Sequence, residues 1–276
     1  MESGEKASCC ARGVNVVLRI GFFQYMAQYM KTKLQYRADL FVEWLSDFMA
    51  QAVNLVFLLV VFGHTTLLHG WSRDEILFIY GFFLVPYAVF GAFFNLWDFN
   101  ERYIVQGEMD RVLTRPLNSL FQIVLERMEL ESLLGAVPGL IIMLYAGSRL
   151  SLSFHWYDVF VFILFVIGGA LIYAGIFISL ATISFFADAR TSIMPMMYNI
   201  SSYGRYPIDI YHRVIRYILT WVLPFAFVGV YPAAYFLDKK EWYSYAFFTP
   251  VVGMVCFTVS VMLWNAGVRR YRGTGS

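Results

Sequence analysis

The feature that most constrains this chain is a series of apolar segments, each about as long as a membrane is thick. Residues 40–62, 76–97, 159–186 and 246–268 are predominantly apolar, and a transmembrane α-helix needs about 20 such residues. The chain has 276 residues, of which 59% are hydrophobic and only 14% are charged. A soluble domain of this size needs more charge to cover its surface. We therefore predict an all-α integral membrane protein, and the net charge of +2 gives no sign of a nucleic-acid partner.

The polarity of the two ends of the chain predicts its domain organisation. Residues 1–13 form a polar N-terminal leader. Residues 14–36 have apolar side chains at helical spacing, but charges interrupt the stripe, which is typical of a helix that lies in the plane of the membrane interface. We predict that residues 14–268 form a single transmembrane domain and that residues 269–276 form a basic tail.

The loop between the first and second predicted spans ends in a helix-capping signal. Ser72 and Glu75 have the spacing of a capping box, in which the serine side chain caps the helix and the glutamate bonds back to the serine N–H. Two histidines and two acidic residues in this region fit no recognised metal-ligand spacing, so we predict an ordinary polar loop and no metal site. These residues are His64, His69, Asp74 and Glu75.

The stretch from Gln106 to Leu120, together with the charges at Glu101 and Arg102 just before it, forms a charged segment that interrupts the apolar sequence between the second and third spans. Four apolar side chains recur at helical spacing on one face, and charged side chains occupy much of the rest. The apolar face comprises Val105, Met109, Val112 and Leu113. Gly107 weakens such a helix and Pro116 ends it, because proline disfavours the α conformation in the residue before it. The pattern predicts a short amphipathic helix at the membrane surface, with a solvated loop as the alternative on charge alone.

The sequence from Gly107 to Asn118 resembles the motif G-x-hydrophobic-D-x-x-L-x-R-P-L-N of the type-2 ATP-binding-cassette transporter permeases. The agreeing positions are Gly107, Asp110, Leu113, Arg115, Pro116, Leu117 and Asn118, whereas Met109 and Thr114 stand where leucine is commoner. In that family the segment is a cytoplasmic coupling helix that seats in a groove of the ATPase subunit. The resemblance therefore implies that this chain contacts an ATPase through Glu101, Arg102, Gln106, Gly107, Glu108, Asp110, Arg111, Arg115 and Pro116.

Resemblance also affects the placement of the fifth span. Hydropathy alone places it at about 217–236 and leaves residues 187–216 as a cytoplasmic loop. Asp188-Ala189-Arg190, however, is similar to the turn between the fourth and fifth spans of these permeases, and the prolines that follow are similar to a segment that re-enters the outer leaflet as two short helices. These prolines are Pro207, Pro224 and Pro232. We therefore predict a fifth span at about 190–206 and a re-entrant hairpin at about 208–237 that faces subunit neighbours.

The distribution of Lys and Arg predicts that both termini are cytoplasmic. With the hairpin on the outer side, 14 of the 21 Lys and Arg residues are cytoplasmic, and with the hydropathy placement 17 are. The count thus favours the hydropathy placement of the fifth span. Both placements give six spans and the same orientation.

Several charged residues lie at the start of the third predicted span, at about 121–145. Charges so close to a membrane are usually paired or functional. Arg127 and Glu131 are four positions apart and could pair along one helix face, with a role in transmitting motion from the coupling helix. The alternative is that the span begins later and that these side chains lie at the level of the lipid headgroups.

The chain lacks the sequence motifs of an ATP site and of common hydrolases. It contains no G-x-x-x-x-G-K-[ST] phosphate loop, no H-E-x-x-H and no G-x-S-x-G. We therefore expect no catalytic residues and no cofactor in this chain, with ATP and Mg bound by a partner subunit.

The resemblance implies a permease subunit of an ATP-driven exporter in the cell membrane. Two permeases, identical or related, would form the pathway at their interface, two ATPase subunits would power it, and membrane lipids would surround it. The alternative, from a different class, is a polytopic membrane scaffold or an intramembrane enzyme without an ATPase partner.

Overall fold

The computed structural model describes residues 37–65, 67–186 and 193–271. The predicted leader, the predicted interfacial helix, the Asp188-Ala189-Arg190 turn and nearly all of the predicted basic tail lie outside the described residues. The chain divides between Ala50 and Gln51 into two compact units. In the first unit the rings of Trp44 and Phe48 stack with centroids 5.5 Å apart, and the contacts between side chains described below belong to the second unit.

The described residues are almost entirely helical, which confirms the predicted all-α class. The α-helices are α1 (Arg37–His64), α2 (Arg73–Phe94), α3 (Glu108–Leu113), α4 (Ser119–Glu126), α5 (Ala136–Arg149), α6 (Asp158–Ile183), α7 (Met194–Ser201), α8 (Arg213–Tyr217), α9 (Val230–Phe236), α10 (Lys240–Ala246) and α11 (Thr249–Val268). The 3-10 turns are Leu130–Gly135, Ser202–Arg205, Ile208–Ile210 and Phe225–Phe227, and the π-helical turns are Asn100–Val105 and Ile218–Val222.

The predicted loop after α1 contains a small antiparallel hairpin. Strands β1 (Leu67–Leu68) and β2 (Trp71–Ser72) pair with Leu67 opposite Ser72. The two connecting residues, His69 and Gly70, have φ of 50° and 84°, which is the left-handed geometry that a tight two-residue hairpin requires.

The predicted capping box at the start of α2 is confirmed. The Glu75 backbone N–H donates to the Ser72 hydroxyl oxygen at 3.3 Å, and the Ser72 N–H donates to the Glu75 carboxylate at 2.8 Å. These bonds satisfy backbone donors that a helix N-terminus otherwise leaves open, so this local signal fixes the start of the second span.

Five helical segments within the described residues are long and apolar enough to cross a membrane. They are Trp44–His64, Arg73–Phe94, Leu130–Arg149, Asp158–Ile183 and Lys240–Val268. The third begins at Leu130, later than the predicted start at about Phe121, because the chain is not helical just after α4. A sixth segment is added if the pair Arg213–Val222 and Phe225–Phe236 is counted as one span.

This pair of short helices, which we call the bent pair (residues 213–236), is bent by 73° and is either a broken span or a re-entrant loop. Two short helices are what the prolines predicted for this region. Pro224 lies at the bend, and Pro232 lies in the first turn of α9, where proline is tolerated because its missing N–H would have no partner in the helix. Within the predicted fifth span, residues 194–205 are helical.

The packing of the long helices depends on glycines that let two backbones approach closely. A Cβ on Gly81 of α2 would lie 2.6 Å from the Gly139 carbonyl oxygen of α5. Between α6 and α11, a Cβ on Gly253 would lie 2.4 Å from the Gly168 oxygen, and one on Gly175 would lie 2.6 Å from the Cys256 backbone. Small residues at helix contacts favour association in membranes, where hydrocarbon tails remove the hydrophobic driving force between helices.

Candidate functional site

The charged segment folds as two short helices instead of the single amphipathic helix that the spacing predicted. A π-helical turn, Asn100–Val105, is followed by Gly107 with φ of 76° and then by α3. This left-handed conformation costs an L-residue with a side chain about 1–2 kcal/mol. The glycine therefore permits the break between the two helices.

The end of the segment is fixed by Asn118 and Gln122. After α3 the chain turns through Pro116, and the Asn118 side chain accepts a hydrogen bond from the Phe121 N–H at 3.2 Å, which caps α4. The buried Gln122 amide donates to the carbonyl oxygens of Val112 at 3.3 Å and Leu117 at 2.9 Å. These bonds hold the turn after α3 against α4.

Only half of the predicted apolar face is buried. Met109 and Val112 are fully buried, whereas Val105 and Leu113 are 44% and 41% exposed. Leu117, in the turn that follows, is 46% exposed. The break at Gly107 separates Val105 from the α3 face, so the charged segment carries exposed apolar side chains among its charges.

Glu126 of α4 is the acceptor on which several side chains of the segment converge. Arg111 donates to its two oxygens at 2.9 and 3.1 Å, Arg115 donates at 3.3 Å, and the Tyr103 hydroxyl donates at 3.2 Å. The hydrogen bond to Glu126 raises the pKa of Arg111. Burial, together with the Glu126 charge, raises the pKa of Tyr103, so Arg111 and Tyr103 keep the protons that they donate to Glu126.

Glu108 makes a second bridge, between the two short helices. Its carboxylate accepts hydrogen bonds from Arg102 at 2.8 Å and from Arg111 at 3.2 Å. The hydrogen bond from Arg102, reinforced by Arg111, lowers the pKa of Glu108. The bridge spans the Gly107 break and so restrains the angle between the π-helical turn and α3.

The charged residues predicted to face an ATPase differ in their contacts within the chain. Arg102, Glu108, Arg111 and Arg115 are held in ion pairs within the chain. Glu101, which accepts a hydrogen bond from Gln106 at 3.4 Å, and Asp110 remain exposed.

The last long helix is joined to the charged segment, a contact that the sequence analysis did not anticipate. The Trp264 indole N–H of α11 donates to the Ser119 hydroxyl oxygen at 3.0 Å. The Trp264 ring packs against Phe99 and Phe185, with centroids 5.2 and 5.1 Å away. Just beyond α11, burial and then the nearby Asp110 carboxylate raise the pKa of Tyr271. Residues so far apart in sequence give no local signal of this contact.

The structure gives Arg127 a different partner from the one suggested by its spacing. The predicted pair with Glu131 requires a continuous helix, but the backbone leaves helical geometry between Arg127 and Glu129. Arg127 forms an ion pair with Asp98 instead. Glu129 bonds back to the end of α2, where the Asn95 amide donates to its carboxylate at 2.7 Å.

The residues considered as metal ligands have other partners. Glu75 forms an ion pair with Lys239 at 2.7 Å, and Asp74 forms ion pairs with Arg73 and Arg149 at 3.3 and 4.0 Å. The His64 ring nitrogen lies 2.9 Å from the Val60 carbonyl oxygen. These contacts tie the N-terminal end of α2 to its neighbours.

Comparison with known proteins gives one match. The chain matches the family model described as "ABC-2 family transporter protein" over residues 48–275. No curated protein and no solved structure matches the chain. The matched range includes the charged segment, the bent pair and all the long helices, apart from the beginning of α1.

Proposed function

The chain belongs to the ABC-2 family of transporter proteins, and from that premise we propose that it is the permease subunit of an ATP-driven exporter. It is a multi-pass membrane protein and a membrane component of a transport system. In the proposed assembly two permeases, identical or related, form the pathway at their interface in the cell membrane. Two separate ATPase subunits bind ATP and Mg and dock on the cytoplasmic side, where both termini of the permease lie.

The exposed apolar side chains of the charged segment are the observation that carries this proposal. Val105, Leu113 and Leu117 are exposed within a segment that is otherwise rich in charge. An apolar patch rimmed by polar residues is typical of a protein docking site, because apolar side chains at the centre of an interface supply most of its affinity. We infer that these three side chains seat in the ATPase groove.

The internal ion pairs support the same role. Glu108 and Glu126 join the two short helices, the turn and α4 into one braced unit. A binding surface that is already ordered loses less conformational entropy on association. The paired arginines thus brace the segment, and the exposed Asp110 is left to provide charge complementarity with the partner, which mainly affects specificity and association rate.

Affinity purification of the tagged permease from its native membranes tests the proposal. The wild-type protein should bring down a phosphate-loop ATPase in a one-to-one ratio, and the complex should hydrolyse ATP. Leu113→Glu should reduce the bound ATPase more than tenfold, which corresponds to about 1.4 kcal/mol or more, because it places a charge in an apolar contact. Asp110→Arg should reduce it less.

Lys240→Glu is the matched control, because Lys240 is exposed at the start of α10, next to the Lys239 that pairs with the opposite end of α2. This charge reversal should leave the bound ATPase unchanged. A wild-type permease that purifies without ATPase activity would contradict the proposal, as would a Leu113→Glu variant that retains the full amount of ATPase.

A further inference from the structure

Arg205 is a half-buried cation that lies against aromatic side chains of α2. It ends the 3-10 turn Ser202–Arg205, which follows α7. Its guanidinium carbon lies 5.8 Å from the ring centre of Tyr80 and 5.4 Å from that of Phe83. Both rings belong to α2 and are almost completely buried, so Arg205 makes cation–π contacts in a site of low polarity.

The position of these rings along α2 gives the depth of the guanidinium. The helix has 22 residues, so it is about 33 Å long, close to the thickness of the hydrocarbon core. Tyr80 and Phe83 lie about 10 and 15 Å from its beginning at Arg73. Arg205 therefore contacts rings in the first half of the apolar length of α2, where a charged side chain is costly and usually marks a pathway or a paired site.

Arg205 has no counterion among the residues that the structure describes. No described carboxylate oxygen comes within 4.0 Å of its guanidinium, and its Nε is buried without a hydrogen-bond acceptor. The Nε of Arg216, in the bent pair, is likewise buried without an acceptor, but Arg216 has a counterion, because its Nη2 lies 3.0 Å from a carboxylate oxygen of Asp209. Among the described residues, the charge of Arg216 is thus balanced by a carboxylate and that of Arg205 is not.

Packing fixes the position of Arg205. A Cβ on the preceding residue, Gly204, would lie 2.8 Å from the Phe225 carbonyl oxygen, and a Cβ on Gly229 would lie 2.5 Å from the Gly204 oxygen. The backbone of the turn is therefore in direct contact with the bent pair. The Tyr80 hydroxyl donates to Gln51 of α1 at 2.9 Å, so the ring beneath the guanidinium is also held in place.

We propose that Arg205 binds the anionic group of an amphiphile, such as a carboxylate or a phosphate attached to an apolar tail. A guanidinium presents forked N–H donors that match the oxygens of these groups. The aromatic walls and the depth of the site favour a ligand whose remainder is apolar, because a free hydrophilic anion would have to leave water to reach it. The missing charge partner of Arg205 is then the ligand itself.

This inference rests on the proposed function in one respect, since it names the substrate class of the exporter. Binding can nevertheless be measured on the full-length permease without any ATPase. A permease that retains its ATPase but does not bind the probe would overturn the Arg205 site alone. A permease that binds the probe but has no ATPase would overturn the proposed function alone.

The probe is dodecyl phosphate, measured by equilibrium binding to the full-length protein in phosphatidylcholine nanodiscs, with empty nanodiscs subtracted. Arg205→Gln should weaken binding at least tenfold. Arg205→Lys should give an intermediate loss, because lysine retains the charge but loses the forked donors. Arg213→Gln removes an exposed arginine and should leave binding unchanged.

Two competitor compounds test separately whether the anionic headgroup and the apolar tail of the ligand are required. Inorganic phosphate should not displace dodecyl phosphate at matched concentration, and dodecyltrimethylammonium, with the same tail and the opposite charge, should not bind at the site. Equal binding by the wild type and Arg205→Gln would overturn the proposal, as would equal binding of the cationic amphiphile. Displacement by inorganic phosphate would overturn the requirement for a tail.

Gel filtration and thermal unfolding identify any misfolded variant. If Arg205→Gln misfolds, the comparison of Arg205→Lys with the wild type tests the proposal instead.

Discussion

The charged segment and the bent pair both interrupt a helical path at a glycine or a proline, but they are stabilised in different ways. Ion pairs that converge on Glu108 and Glu126 hold the charged segment. Apart from the Arg216–Asp209 ion pair near its start, the bent pair is held by packing: the Phe225 ring lies 5.4 Å from that of Tyr173, and the Phe227 ring lies 4.7 Å from that of Tyr231. The close approach of Gly204 and Gly229 adds a backbone contact.

The difference follows from what surrounds each break. Half-exposed carboxylates and guanidinium groups keep part of their hydration, so ion pairs can brace a segment at little desolvation cost. In an apolar layer the same pairs would be costly, and a broken helix is tolerated only where protein covers it. The charged segment should therefore respond to charge and pH, and the bent pair should respond to side-chain volume.

The largest expected effect is on the bent pair. Gly229→Ala places a Cβ 2.5 Å from the Gly204 carbonyl oxygen, and a backbone atom cannot move aside as a flexible side chain can. We expect a loss of about 3 kcal/mol in the free energy of unfolding, measured as a lower Tm of the purified protein. Gly91→Ala is the control, because its Cβ would lie at an ordinary 3.4 Å from Ser132. Equal Tm values for the two variants would show that packing does not limit the bent pair.

A smaller effect is expected in the charged segment. Glu126→Gln removes the charge that pairs with Arg111 and Arg115 and should cost about 1–2 kcal/mol, since hydrogen bonds to charged groups are worth about that much when half-exposed. The amount of ATPase that co-purifies with the permease should fall, while membrane insertion stays normal. Glu241→Gln, at an exposed position in α10, should have no effect, and a similar loss from both variants would contradict the bracing role of Glu126.

The smallest effect concerns pH. Hydrogen bonding to Arg102 lowers the pKa of Glu108 from its ordinary value of 4.5, so its contribution to stability is complete above that value and is lost as the pH falls through the lowered pKa. The difference in Tm between the wild type and Glu108→Gln should therefore be present at pH 6 and should vanish at more acidic pH. A difference that does not change with pH would indicate that the charge of Glu108 is not involved. The difference in Tm between the wild type and Gly229→Ala should not depend on pH in this way.

Local signals in the sequence were sufficient to predict most of the fold. The long apolar segments, the capping box at Ser72 and Glu75 and the family motif at Gly107–Asn118 all depend on residues close together in the chain. The start of the third span was predicted too early, because hydropathy does not show that the backbone leaves the helix between Arg127 and Glu129.

The bracing of the candidate site could not be predicted in the same way. Arg111 and Glu126 are 15 positions apart, and Ser119 and Trp264 are 145 positions apart, so neither contact leaves a periodic pattern. The spacing placed Val105 on the same helix face as Met109 and Val112 because it assumed an unbroken helix, and Gly107 breaks it. Arg205 was counted only as one charge on the outer side, although an arginine between tyrosine-rich, apolar neighbours was a usable signal of a buried cation.

The glycine contacts between α6 and α11 cannot form until some time after α6 has been synthesised, because α11 is synthesised later. About 65 residues separate the end of α6 from the start of α11, and a ribosome adds about 5–20 residues per second. For about 3 to 13 s after α6 is complete, the surface around Gly168 and Gly175 therefore has no α11 to cover it.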